Sequence, residues 1–213
     1  MKKRITLSRI EKMAALSIDN ALRFHFDSIA LFKNQSYPSC FLLEVLAIEE
    51  IGKMFLLEDL WWHSVIEGKR EEKEEKEWLN FMYSHRFKQN FFVRNFDASL
   101  KKRLSHVIVR GDLDILKQKS TYVGLRRQGK SIHLNKHIEN PLDITKRMAE
   151  KLITDVSDEL LVFIQGCIKG VYSVETKSVS RILCSDLFAR LVAAWTMKSK
   201  RTASRLKMLE RMV

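Results

Sequence analysis

Apolar residues recur along this chain at intervals of three and four, sustained over whole segments, and strict alternation is rare. From Leu7 to Lys33 the residues Ile10, Met13, Ala14, Ala21, Phe24, Leu31 and Phe32 fall on one face of a helix, broken only by the small Ser17 and Ser28. The stretch KNQSYPS, residues 33–39, then punctuates the pattern. A second helix starts there, with Ser36 as a cap and Pro38 in the first turn, where a missing N–H costs nothing, and it runs to about Ile66. The mixed-charge run Glu67 to Glu77 suits a connection and a solvated first turn, since its glutamates face the positive end of a helix dipole. A third helix continues from it to about Asn95.

Between Asp97 and Asp143 the periodicity loosens around Gly111, Gly124, Gly129 and Pro141, which predicts a short helix and an irregular insert with an extended piece near Thr121 to Leu125. Helical spacing returns after Asp143 and again from about Ser178. The expected fold is all-α: an antiparallel bundle of about five long helices, with an irregular insert at about 97–143, in a single domain spanning residues 1–213.

Composition agrees with that pattern. Two prolines and seven glycines in 213 residues leave room for long helices. Cys40, Cys167 and Cys184 are odd in number and far apart, so they read as reduced thiols with no disulfide framework and no thiolate zinc site. No uncharged apolar run approaches the ~18 residues of a membrane span, and the basic start MKKRITLSRIEKM has no apolar stretch behind it, so a cytoplasmic protein with no membrane partner is expected.

Charge adds one region to the picture. Lys and Arg number 38 against 26 Asp and Glu, and the excess gathers at 198–213, where Lys198, Lys200, Arg201, Arg205, Lys207 and Arg211 face the single acid Glu210. Such a surplus attracts phosphate polyanions, which makes these residues nucleic-acid-binding candidates; a merely solvated helix end is the alternative.

The second helix carries the candidate chemistry. In LAIEEIGKMFLL, Leu46 to Leu57, Glu49 and Lys53 share the centre of one stripe, about 40° apart on a helical wheel, between Leu42, Val45, Leu46, Gly52 and Leu56. Glu50 lies about 100° away beside Leu43 and Leu57. A helix apolar on most sides is a central one, and burying its ions costs several kcal/mol each unless they are paired. Either Glu49 and Lys53 pair at i, i+4 with Gly52 letting another helix come close, or these charges line a polar cleft with shifted pKa values.

The third helix offers a partner. Trp78, Met82, His85, Gln89 and Phe92 fall on one face, and Lys88 projects from the same side as His85. A base and an amine placed this way suit general base chemistry on a phosphate; a lone core histidine is the plainer reading.

The segments FKNQSYPSCFLLEVLAIEEIGKMFLLEDL, SHRFKQ and LKQKSTYVGL followed by ENPLDITKRMAEKLI resemble the AbiV family of bacterial abortive-infection proteins, among the HEPN-type helical bundles. The matching pieces are Glu49, Glu50, Gly52 and Lys53; His85 and Lys88; and Lys119, Tyr122 and Val123, over roughly Leu31 to Ile153. The resemblance implies a phage-defence protein that acts on RNA or translation. It implies a homodimer and a phage protein as activator or target. Many HEPN relatives are metal-independent ribonucleases with an E-x-x-x-K-R helix and a later R-x(4–6)-H. Glu49 and Lys53 match the first part, with Met54 in place of the arginine. Arg127 and His133 have the second spacing, in a stretch around Gly129 that reads as a loop. His133 and His137 stand at i, i+4 without a third ligand, so no metal and no other cofactor is expected.

The catalytic candidates are therefore Glu49, Glu50, Lys53, His85 and Lys88, with Arg127 and His133 behind them. A non-catalytic helical module that holds RNA or a phage or host protein is the competing function.

Overall fold

A computed structural model describes residues 5–66, 72–95, 102–125, 127–128, 131–132, 138–168 and 185–197. It is built of helices: α1 (Leu7–Lys33), α2 (Tyr37–Ile66), α3 (Glu72–Phe81), α4 (His85–Arg94), α5 (Lys102–Val109), α6 (Asp112–Lys119), α7 (Lys146–Ile168) and α8 (Ser185–Ala194). The strands are two residues each: β1 (Gly124–Leu125) pairs antiparallel with β4 (Ile138–Glu139), and β2 (Arg127–Gln128) with β3 (Ser131–Ile132).

Thr6 caps α1 by accepting from the Arg9 N–H, and Gln35 at φ 62° turns the chain into α2. The result is an antiparallel hairpin. Glu11 near one end of α1 meets the indole N–H of Trp61 near the far end of α2, and His25 meets Glu44 close to the turn. Ile10, Ala14, Ile18 and Ala21 of α1 share one buried core with Val45 and Ile48 of α2. On another side of α2, Phe55 meets Phe163 of α7 edge to face, with ring centroids 5.7 Å apart. α8 closes on α7 through the Trp195 indole, which donates to Thr154 Oγ1 at 3.0 Å. Each fully buried Leu, Ile or Phe contributes roughly 1.5–3 kcal/mol, so this apolar centre can carry a few buried charges.

The first two helices end where the sequence pattern places them. The third segment divides: α3 stops at Phe81, Met82 and Tyr83 form a turn, and Ser84 caps α4 by accepting from the Phe87 N–H at 3.4 Å. Met82 and Phe92 are both buried, so apolar spacing reads straight through a real break. The region 97–143 holds more helix than expected, in α5 and α6, and its extended piece is β1. Asn140 caps a 3-10 turn at Pro141–Asp143, and Asp143 pairs with Lys119 at 3.0 Å, tying the end of α6 to the start of α7. The basic residues Lys198, Lys200, Arg201, Arg205 and Lys207, together with His133 and His137, lie outside the described residues, as do Cys184 and the predicted helix start at Ser178.

Candidate functional site

α2 and α4 cross closely because Gly52 has no side chain. A Cβ there would stand 1.8 Å from the Lys88 carbonyl oxygen, a backbone atom that cannot step aside. That approach brings the start of α4 over Glu49, three residues back on α2.

The carboxylate of Glu49 is 2% exposed and collects four donors. His85 Nδ1 lies 2.7 Å from Oε2, and Lys88 Nζ is 3.4 Å from the same oxygen. Lys117 Nζ from α6 reaches Oε1 at 2.9 Å, and Gln89 Nε2 donates to Oε1 at 3.1 Å. Burial pushes the Glu49 carboxyl upward. The hydrogen bonds from Lys117 and His85, and the charges of Lys117 and Lys88, outweigh that push and hold it below the ordinary glutamate range. A buried carboxylate held ionised is thus the centre of the site.

An ionised acceptor settles the histidine as well. Nδ1 must carry the proton it donates to Glu49, which leaves the lone pair of the neutral ring on Nε2. His85 is 54% exposed, whereas Lys88 and Lys117 are 10% and 16% exposed. The imidazole is the part of the cluster that water and solutes reach.

The structure brings Glu49, His85 and Lys88 together and adds Gln89 and Lys117. It does not pair Glu49 with Lys53. Lys53 Nζ turns to Glu50 Oε2 at 3.5 Å, an i, i+3 contact in which both side chains are partly exposed, because both Glu49 oxygens already have donors. Lys119 pairs with Asp143, and Tyr122 and Val123 are largely exposed. Arg127 sits in β2 opposite Ile132, and its side chain is outside the described residues. Lys117 escaped the sequence reading because it stands among ordinary lysines in LKQKS, 68 positions from Glu49.

A second carboxylate on α2 lies five residues earlier. Glu44 Oε1 accepts from His25 Nδ1 at 2.8 Å and from Ser28 Oγ, and both side chains of the Glu44–His25 pair are fully buried. Five residues turn a helix by about 140°, so the two glutamates serve opposite sides of α2.

The HEPN_AbiV family model, described as AbiV, matches residues 9–161, a span holding every member of the Glu49 cluster. The chain belongs to the AbiV family, and that membership points to abortive-infection defence against phage. No curated protein and no solved structure matches it. No helix among the described residues is long and apolar enough to cross a membrane.

Proposed function

We propose that this protein restrains phage growth by acting on RNA, as a metal-independent endoribonuclease with His85 as general base. The observation that carries the reading is the 2.7 Å contact between His85 Nδ1 and an ionised, buried Glu49 on a half-exposed ring. It presents Nε2 as a proton acceptor in a fixed orientation. His85 Nε2 takes the proton of a ribose 2′-OH, the 2′-oxygen bonds to the adjacent phosphorus, and the bond to the 5′-oxygen breaks. The products are a 2′,3′-cyclic phosphate and a 5′-hydroxyl, the latter protonated by solvent.

Glu49 holds the imidazole tautomer, and Lys88 fixes Glu49. Lys88 and Lys117 are engaged with that carboxylate, so among the described residues we assign the phosphate to Lys53, one turn along α2, 30% exposed and only loosely paired with Glu50. Glu50 serves to orient it. Homodimerisation and a phage-derived trigger are expected of such an effector.

A non-catalytic RNA- or protein-holding module is favoured by one observation: both oxygens of the Glu49 carboxylate are already taken by side chains of the protein itself. Incubating purified protein with total RNA separates the two. New 5′-hydroxyl ends that vanish in folded His85→Ala and Glu49→Gln support the enzyme. Intact RNA that is nevertheless bound supports the module.

A further inference from the structure

Lys117 reaches the site from outside both helices that build it. Its ammonium lies 2.9 Å from Glu49 Oε1 and 3.2 Å from His85 Nδ1. The last turn of α6 holds it there. Ser120 Oγ and Thr121 Oγ1 both donate to the Lys117 carbonyl, at 2.6 and 3.1 Å. The segment that carries Lys117 is held by Leu113 in the core at one end and by Lys119 on Asp143, at the foot of α7, at the other.

The ammonium and Nδ1 cannot share a hydrogen bond in this geometry. If Nδ1 accepted from Lys117, its lone pair would face the Glu49 oxygen at 2.7 Å, which is repulsive while Glu49 is ionised. Both therefore donate to the same carboxylate. We infer that Lys117 is a positioning residue for His85: by holding Glu49 as the anion, it keeps the His85 proton on Nδ1 and the ring's lone pair on Nε2. The inference rests on the ribonuclease reading only for its consequence in turnover; the linkage itself belongs to the folded protein. It also makes the α5–α6 segment part of the site, so anything that shifts α6 against α2 withdraws the charge.

Among the described residues, the charged and titratable groups facing Glu49 and His85 are Lys88 from α4 and Lys117 from α6, with Gln89 as the neutral donor. Removing Lys117 leaves burial, the largest single influence on Glu49, opposed by fewer partners. The test is a carboxyl 13C titration of Glu49 in the full chain, with 15N spectra of the His85 ring, for wild type, Lys117→Met and Lys117→Arg. In Lys117→Met the Glu49 midpoint rises by about 1 pH unit or more, and the ring proton redistributes toward Nε2 as Glu49 neutralises. Lys117→Arg stays near wild type.

Where RNA is cleaved, turnover falls in Lys117→Met and is restored in Lys117→Arg. A Glu49 midpoint unmoved in folded Lys117→Met overturns the inference, as does an arginine variant that behaves like methionine. Wild type inert toward RNA would sink the enzyme reading and leave the titration result standing.

Discussion

Two Glu–His pairs sit on opposite sides of α2 with nearly the same contact distance, 2.8 Å for Glu44–His25 and 2.7 Å for Glu49–His85. Both carboxylates are buried, but the surroundings differ in charge and in access to the ring. The Glu44 pair is sealed, its third partner is a serine, and Glu44 Oε2 and His25 Nε2 have no hydrogen-bond partner among the described residues. The Glu49 pair has two lysines and a glutamine behind it and an imidazole open to solvent in front. The same two side chains make a sealed clasp between α1 and α2 in one case and present a half-exposed imidazole to solvent in the other. Access and surrounding charge decide which, and neither is a property of the pair.

The harshest way to break the contrast is Gly52→Val. With the Lys88 carbonyl oxygen 1.8 Å from where a Cβ must go, α4 has to leave α2. Stability should fall by about 3 kcal/mol or more, at the upper end of overpacking effects, and the Glu49 cluster should come apart while Glu44–His25 persists. Chemical denaturation measures the first, and histidine 15N spectra the second. A variant with native stability and an intact His85–Glu49 signal would show that the close crossing is not what builds the site.

Next in size is the paired exchange Glu49→Gln against Glu44→Gln. Glu49→Gln leaves Lys88 and Lys117, both mostly buried, without a counter-charge, and should cost about 3 kcal/mol, with cleavage of RNA reduced by at least about 100-fold. Glu44→Gln keeps an acceptor for His25 and Ser28; it should cost about 1–2 kcal/mol and leave cleavage unchanged. Denaturation midpoints and RNA end-labelling read the two outcomes. If both variants lose activity alike, the comparison between the pairs fails.

The outline of the bundle was legible because it rests on local rules. Ser36 and Pro38 mark the α1–α2 turn, and helical spacing carries α1, α2 and α7. The third segment misleads because Trp78, Met82 and Phe92 keep helical spacing across the Met82–Ser84 turn; Ser84 as an N-cap was the available counter-signal. In the site, Glu49 and His85 could be picked out as charges on apolar faces. Lys117 could not, since contacts 68 positions apart follow from how α6 folds back and leave no local mark. The Glu44–His25 clasp was within reach, because in a hairpin turning near Gln35 residues roughly equidistant from the turn must meet.

A smaller effect comes from pH. Glu49 titrates below the ordinary glutamate value of 4.5 in the folded chain, so its contribution is present above that value and is lost as pH falls through its lowered folded value. The melting temperature of wild type should therefore fall toward that of Glu49→Gln as the pH is lowered below the ordinary glutamate value of 4.5, with the difference fully present above it. Thermal unfolding of both proteins on either side of that value checks it. A gap between them that widens in acid would mean Glu49 is not the ionised member of the cluster.

The smallest expected change in stability tells most about chemistry. Lys53 and Glu50 touch at 3.5 Å with side chains 30% and 18% exposed, so Lys53→Met should alter stability by less than about 0.5 kcal/mol. If Lys53 is the cation that meets the phosphate, cleavage still falls by about 10- to 100-fold, with the Glu49 carboxyl titration unmoved. That combination would separate it from Lys117, whose loss shifts the titration as well. Full activity in Lys53→Met would place the whole burden on the His85–Glu49 pair and remove Lys53 from the site.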